Sequence, residues 1–229
     1  MIKKTSKKYQ PQGLKIIYDD IDIIVVDKSE GLLTVATEKE KFRTAHYLLT
    51  NYIRKGCSKS KKQLYVVHRL DQATSGVLIF AKNEKSEISL KNNWKQTEKK
   101  YIAVVYGNFE AKEGNISTYL TENKAGIVYS TPDTKKGKLS TTVYKVIKET
   151  KKFSMLEINL ITGRKNQIRV HLNENGHPIV GDLKYGKENE SHKRLALHAR
   201  SISFNHPFSG KRLYFEAELP KYFTSLIGQ

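Results

Sequence analysis

The chain has 229 residues and carries 41 Lys and Arg against 23 Asp and Glu, which gives a formal net charge of +18. A chain this basic favours a polyanionic partner, with nucleic acid first among the candidates. The single cysteine, Cys57, excludes an internal disulfide and a multi-cysteine zinc site, and the apolar runs are too short to cross a membrane.

The chain begins with a polar, lysine-rich stretch, MIKKTSKKYQPQG. We interpret residues 1–13 as a basic flexible tail, which either trails across phosphates or only keeps the protein in solution. No apolar segment follows these charges as it would in a secretory signal, so a cytoplasmic protein is expected. The remainder, 14–229, has the length of one compact domain.

The first predicted elements are two strands and a helix. KIIYDDIDIIVVDK holds two β-branched runs split by Asp19 and Asp20, which is typical of a strand-turn-strand unit. Residues 44–53 place apolar side chains at helical spacing, and Gly56 follows as a left-handed stop. Further on, QLYVVHRLDQATSGVLIFAK has two apolar runs around a polar loop, which predicts a loop between two strands.

The second half of the chain is richer in strands. A weakly periodic helix is expected around Trp94, followed by a strand in KKYIAVVYGNF and a hairpin over residues 142–147 and 153–161. KNQIRVHLNENGHP has a helical pattern, and a second hairpin turns at HPFSGK. Strands outnumber helices and short turns join neighbours, so we expect an α+β fold with a mixed, largely antiparallel sheet and packed helices.

Several familiar sites are excluded by their missing motifs. There is no GxGxxG and no GxxxxGK[ST], so neither nucleotide-phosphate loop is present. The string HRLD lacks the glycine-rich loop, the DFG and the asparagine of a kinase. The seven histidines form no HExxH. We therefore expect neither a metal nor a cofactor.

The remaining motifs are more specific together than any of them alone. VVHRLDQATSGVLIFAK closely resembles the HRLDxxTSG signature of the RluA family of RNA pseudouridine synthases. Further blocks resemble that family in the same order, and together they cover nearly everything from Leu14 to Pro220: IIVVDKSEG, KKYIAVVYG, TGRKNQIRVHL, GHPIVGDLKYG and RLALHARSISFNHPFSGKRLYFEAELP. The resemblance implies the pseudouridine synthase catalytic fold and an isomerase that acts on uridines of ribosomal or transfer RNA.

The sequence departs from the family pattern at a few positions. Ser29 stands where proline commonly follows the lysine of the first motif, which loosens a turn without removing a reactive group. Lys165 and Asn166 stand where Thr and His are frequent. Many relatives carry an N-terminal S4 RNA-binding domain, and only the tail precedes Leu14 here. RNA capture is therefore expected to rest on the catalytic domain and this tail.

The central candidate residue is Asp71. Its polar loop lies between two apolar runs, which can expose the carboxylate while the sheet holds the backbone. Taken alone, the residue is more readily interpreted as a carboxylate that caps its own loop. The resemblance makes it the catalytic residue, either as a nucleophile or as a base that abstracts a sugar proton. The sequence does not choose between these two routes.

Two further catalytic residues are implied by the resemblance. Arg169 flanks the buried stripe of its predicted helix, and the family pairs this arginine with the catalytic aspartate; the alternative is a solvated surface charge. Tyr101 matches the tyrosine that stacks on the target uracil; the alternative is an ordinary strand tyrosine.

Three basic residues are candidates for substrate binding. Arg69 precedes Asp71 by two positions, and Arg164 and Lys165 stand at the start of the predicted helix, where its dipole also favours phosphate. The expected partner is RNA, with no membrane, and the expected state is a monomer. Two other readings stay open, a non-catalytic RNA-binding protein on this fold and, less favoured, a basic DNA-binding protein.

Overall fold

The structure is a computed structural model that describes residues 11–186 and 192–228. Residues 1–10, most of the expected basic tail, lie outside the described residues. The chain divides into two compact units. The first takes Met1–Thr97 with Ser201–Ala217, and the second takes Glu98–Arg200 with Glu218–Gln229.

The first unit contains a sheet and two helices. β1 pairs with β2, β2 and β3 pair with β4, and β10 pairs with β11, in each case antiparallel. The elements are β1 (Leu14–Asp19), β2 (Ile23–Lys28), α1 (Ala45–Arg54), β3 (Tyr65–Val66), β4 (Ser75–Ala81), α2 (Glu84–Asn92), a 3₁₀ turn (Trp94–Gln96), the end of β10 (Leu197–Asn205) and β11 (Arg212–Glu216).

The structure confirms the predicted strand-turn-strand unit and the predicted helix after it. The hydroxyl of Thr44 accepts from the Tyr47 N–H at 3.1 Å and so caps the start of α1, and Lys55 and Gly56 close its end with positive φ. The helix expected around Trp94 was misplaced, because α2 begins at Glu84 and Trp94 lies in the 3₁₀ turn after it. Apolar residues of β2, β4 and β10 form the core of this unit.

The second unit is an antiparallel sheet with two helices. Within it, β5 pairs with β9, β9 with β8, β8 with β6, and β6 with β7. The elements are β5 (Glu98–Tyr106), β6 (Glu113–Glu122), β7 (Val128–Thr131), β8 (Lys138–Glu149), β9 (Phe153–Leu160), α3 (Gln167–Glu174), the start of β10, and α4 (Lys221–Ile227).

The hairpin expected after residue 142 is present, although β8 is longer than predicted. In β9, Leu156 and Ile158 are fully buried while Glu157 between them is half-buried, which is the alternation expected of a strand. The helix of KNQIRVHL is present as α3, with Ile168 and Leu172 buried on it. Strands β6 and β7 and helix α4 were not predicted.

These elements form the α+β architecture that the sequence indicated, with mostly antiparallel strands and four helices. Across residues 11–186 and 192–228, every helix is too short or too polar to span a lipid bilayer.

Candidate active site

The loop that carries Asp71 is fixed at the residues on either side of it. Leu70 is bonded twice to the buried Thr34: its carbonyl oxygen accepts from the Thr34 hydroxyl at 2.7 Å, and its N–H donates to the same hydroxyl at 3.1 Å. Gln72 is bonded to Gly31, whose N–H donates to the Gln72 carbonyl oxygen at 2.9 Å. Asp71 itself is half-buried. Its carboxylate is therefore displayed from a backbone held on both sides.

A buried lysine lies behind this loop. Lys28, at the end of β2, is fully buried. Its ammonium group donates to the carbonyl oxygens of Ser29 at 2.9 Å, Leu32 at 2.8 Å and Gln72 at 3.2 Å. The three contacts join the segment after β2 to the residue that follows Asp71. An ammonium offers three donors, and here each has a carbonyl acceptor, as a buried charge requires.

Burial and nearby carboxylates have opposite effects on the pKa of this lysine. Burial lowers the pKa of Lys28 to about 8, while the negative charges of Asp71, Glu30 and Asp27 act in the opposite direction. Apart from its place in the first motif, no pattern in the sequence singles out this residue, because most lysines lie at the surface.

The departure at Ser29 has a structural counterpart. The Ser29 N–H donates to the carbonyl oxygen of Gly13 at 2.9 Å, which ties the start of β1 to the segment after β2. A proline at this position has no N–H to donate. The serine thus replaces the rigidity of a proline ring with a hydrogen bond.

Arg169 is buried in the second unit. Only 8% of the residue is exposed, so its interpretation as a solvated surface charge is wrong. Its Nε lies 2.8 Å from Asp182 Oδ2 and its Nη2 lies 2.6 Å from Asp182 Oδ1, which is a two-pronged ion pair. The Tyr185 ring lies beside the guanidinium, 5.1 Å from its central carbon. Two neighbours therefore fix the direction of this arginine.

Asn166 extends that arrangement at the start of α3. It is buried with a φ of 54°, and its side-chain amide donates to the Tyr185 hydroxyl at 2.9 Å. The same hydroxyl accepts from the N–H of Val128 at 3.1 Å. Neither Asp182 nor Tyr185 was singled out from the sequence, although both fall in the GHPIVGDLKYG block. Their role depends on contacts across the fold.

A polar network fixes α3 to the sheet beneath it. His171 is fully buried, with Nδ1 2.9 Å from the Thr142 hydroxyl and Nε2 3.0 Å from the Thr118 hydroxyl. Burial lowers the pKa of His171 to about 4, and the nearby Glu174 acts in the opposite direction. The histidine is therefore neutral at pH 7, and its burial and two hydroxyl partners make it a packing residue of α3.

A second contact fixes the segment that enters α3. The side-chain amide of Gln167 donates to the Thr142 hydroxyl at 3.0 Å, and its oxygen accepts from the Thr162 hydroxyl at 2.9 Å and the Arg164 N–H at 3.0 Å. Arg164 and Lys165 are both exposed. The ammonium of Lys165 forms an ion pair with Glu122.

The two other predicted residues differ in exposure. Tyr101 lies in β5 opposite Ile158 and is 8% exposed. Arg69 is exposed in the loop before Asp71. The structure thus presents Arg69, Arg164 and Lys165 at the surface, as phosphate contacts require.

Among the described residues, one group has ligand atoms close enough together to hold a metal ion. It consists of Asp20, Asp22 and His206. Its oxygens already accept protein hydrogen bonds. Asp20 accepts from the N–H groups of Asp22 and Ile23, each at 2.8 Å, and from the Tyr18 hydroxyl at 2.8 Å. These hydrogen bonds stabilise the turn between β1 and β2, so we assign the group a structural role.

Comparison with known proteins gives consistent matches. Residues 22–174 match the family model described as RNA pseudouridylate synthase. An RNA pseudouridine synthase of Mycoplasma genitalium is 36% identical over 228 residues, covering 95% of this chain and 71% of that protein. Ribosomal large subunit pseudouridine synthase C of Rickettsia bellii is 34% identical over 230 residues, covering 98% of this chain and 72% of that protein.

Two solved human structures share the fold. Human RNA Pseudouridylate Synthase Domain Containing 4 aligns with a TM-score of 0.74 at 23% identity, covering 92% of this chain and 90% of its own. Human RNA Pseudouridylate Synthase Domain Containing 1 aligns with a TM-score of 0.75 at 24% identity, covering 95% and 87%. At this identity the likeness establishes the fold.

Proposed function

The chain belongs to the RNA pseudouridine synthase family, and from this premise we propose that Asp71 carries out its reaction on uridines of ribosomal or transfer RNA. The reaction breaks the bond between ribose C1′ and uracil N1 and forms a bond between C1′ and C5. The uridine must first leave its stack, because these atoms are inaccessible inside a helix. The carboxylate then either attacks C1′ or abstracts a sugar proton, and C5 finally loses its hydrogen to solvent.

The observation that carries this proposal is the fixed backbone on both sides of Asp71. Leu70 is bonded to Thr34, and Gln72 is bonded to Gly31 and Lys28. A reacting carboxylate must be held within a fraction of an ångström of its productive position. A carboxylate that only caps a loop needs no such support from a buried ammonium.

Arg169 and Tyr101 complete the proposed catalytic group. Asp182 holds the Arg169 guanidinium by two short bonds, which suits a residue that orients another group rather than a flexible phosphate contact. The pairing of Arg169 with Asp71 stays a prediction. Tyr101 is assigned the stacking contact with uracil by the same family pattern.

Three exposed cations complete the proposed substrate contacts. We assign Arg69, Arg164 and Lys165 to phosphates of the RNA, because all three are exposed on a chain with a net charge of +18. Ribosomal RNA is the first target to test, since the Rickettsia bellii relative is named for the large ribosomal subunit. A cytoplasmic monomer that needs no cofactor remains part of this proposal.

The proposal is tested by Asp71→Asn, which keeps the shape of the side chain and removes its charge and basicity. Single-turnover release of tritium from C5-labelled uridine in cellular RNA should fall by several orders of magnitude. The melting temperature and the RNA dissociation constant should stay close to wild type. Mapping pseudouridine in cellular RNA with and without the gene then identifies the target.

Asp133→Asn is the matched control. The Asp133 carboxylate accepts from the Lys135 N–H at 2.9 Å, so this aspartate does cap its own loop. Its replacement should leave tritium release unchanged. Substantial release by a folded Asp71→Asn protein would remove Asp71 from the mechanism and favour a role in the loop alone. A chain that binds RNA but never releases tritium would instead be a non-catalytic member of the family.

A further inference from the structure

The loop before α1 presents an aromatic side chain to solvent. Phe42 is 63% exposed, and its ring meets the ring of Tyr47 edge-on at 5.2 Å. The loop is ordered by Glu40, whose carboxylate accepts from the N–H of Phe42 at 3.0 Å and of Arg43 at 2.9 Å. Exposing this much aromatic surface is unfavourable. Here the hydrogen bonds from the backbone N–H groups to Glu40 hold the exposed Phe42 ring in place.

The outer face of α1 continues from this aromatic pair. Leu49, Tyr52 and Ile53 are buried on the inner face. Tyr47, Asn51 and Arg54 lie on the outer face at helical spacing. Arg54 Nε donates to the carbonyl oxygen of Lys62 at 2.7 Å, which folds the segment after the helix back onto its last turn. The helix spans about 15 Å at 1.5 Å per residue.

After Glu40, whose carboxylate is bound by the N–H groups of the loop, the chain carries only positive charges up to Leu70. Residues 41–70 contain eight Lys and Arg and no Asp or Glu. Five of the eight lie in residues 54–62, at the end of α1 opposite Phe42. The outer face of α1 thus has an aromatic pair at one end and a cluster of cations at the other. This combination is what single-stranded nucleic acid requires, because bases stack on aromatic rings and cations hold the phosphates.

The same helix is joined to the loop of Asp71. The Thr34 carbonyl oxygen accepts from the His46 N–H in the first turn of α1 at 3.0 Å. The Thr34 hydroxyl is bonded to Leu70, one residue before Asp71. One residue therefore connects the start of the helix to the proposed catalytic loop. The helix and the Asp71 loop are thus held together within the first unit.

From these observations we propose that Phe42, Tyr47 and the outer face of α1 bind an unpaired segment of the RNA substrate. A base stacks on Phe42, and the cations of residues 54–62 hold the adjoining phosphates. The proposal rests on the assignment of RNA as substrate, but it concerns binding and not chemistry. It adds a binding surface in the first unit to the phosphate contacts assigned above.

The test measures binding of a fluorescein-labelled ten-residue oligoadenylate, which stacks well and contains no uridine. Fluorescence anisotropy should show that Phe42→Ala weakens binding about tenfold, since loss of one stacked base costs roughly that factor or more. Phe42→Trp should retain the affinity. Phe208→Ala is the matched control, because Phe208 is 86% exposed in another loop of the same unit. It should bind as wild type does.

A second measurement places the base at the helix. In Phe42→Trp, oligoadenylate should quench the added tryptophan emission, while the emission of Trp94 in the wild type should change little. Equal dissociation constants for Phe42→Ala and Phe208→Ala, or an unquenched Trp at position 42, would overturn the proposal. Because the probe contains no uridine, an inactive Asp71 would leave this outcome unaffected. The two proposals therefore fail independently.

Discussion

The ammonium group of Lys28 donates to the carbonyl oxygen of Gln72 at 3.2 Å, and Gln72 follows directly after Asp71. The same ammonium holds the carbonyl oxygens of Ser29 and Leu32. A fully buried charge is costly unless each of its donors is used. The position of the Asp71 loop thus depends on a buried charged group at the end of β2.

The first prediction concerns the loss of that group. Lys28→Met keeps most of the side-chain volume but leaves three carbonyl oxygens without their donor. We expect turnover to fall by about a hundredfold, because small displacements of a reacting group cost that much. RNA binding should change little. Steady-state kinetics, RNA titration and a melting curve measure the three effects separately.

Lys99→Met is the control for burial alone. Lys99 is also buried, 8% exposed, and burial lowers its pKa, but it lies in β5 of the other unit. Its replacement should leave turnover per folded molecule near wild type. If Lys28→Met lost stability but reacted at the normal rate, the lysine would support the fold without positioning Asp71.

The second prediction concerns pH. The pKa of Lys28 is about 8 in the folded protein and 10.5 when unperturbed, so between these values the unfolded chain holds a proton that the folded chain has released. The free energy of unfolding should therefore rise with pH across this window. The reaction rate should fall there, because the neutral amine has one donor fewer for the three carbonyls.

Denaturant titrations and single-turnover rates from pH 7 to 10 would check both changes. Lys28→Met should lack the rise in stability, since it has no group that titrates at this position. A wild-type rate that stays level to pH 10 would show that the charge on Lys28 does not matter to catalysis.

The sequence predicted the elements whose signals are local. Thr44 before an apolar period and Gly56 after it set the bounds of α1. The signal for β6 was weak, because its buried apolar side chains, Ile116 and Leu120, are four residues apart. That spacing is typical of neither an alternating strand nor a complete helical face. Pairing with β7 and β8 is what makes this segment a strand.

The sequence could propose a site residue where a motif named it, but it could not predict contacts with a partner far away in the chain. Asp71 and Arg169 stood in matching blocks. Lys28 was noted only as the lysine of the first motif, because its carbonyl partner on Gln72 lies 44 residues away. Asp182 was missed as the partner of Arg169 because no local pattern indicates which charge a buried arginine binds.

The third prediction concerns acid sensitivity in the second unit. The pKa of His171 is about 4 in the folded protein and 6.5 when unperturbed, so below pH 6.5 the unfolded chain takes up a proton that the folded chain refuses. Stability should fall as pH drops through this range. His171→Gln can still bond to Thr118 and Thr142 but does not titrate. At pH 5 the wild type should have lost about 2 kcal/mol more than this variant, relative to pH 7.

Urea titrations of the two proteins at both pH values measure that difference. Both proteins contain the same carboxylates that titrate below pH 5, so the effects of these groups on stability cancel in the comparison. Parallel losses of stability would mean that His171 takes up a proton as easily in the folded protein as in the unfolded one.

The last prediction concerns the pair formed by Arg169 and Asp182. Asp182→Asn removes one charge of a buried, two-pronged pair and should cost about 3–5 kcal/mol of stability. Turnover should fall while RNA affinity is kept, because the freed guanidinium can leave its position. Arg169→Leu should show the same split, and the double variant should lose less than the sum of the two single losses, since both act through one contact.

Glu87→Gln, which breaks the exposed pair with Lys91, should change stability by no more than about 0.5 kcal/mol. If Asp182→Asn instead lost RNA binding while bound RNA reacted normally, Arg169 would be a substrate contact, and its buried pairing would serve binding rather than the reaction.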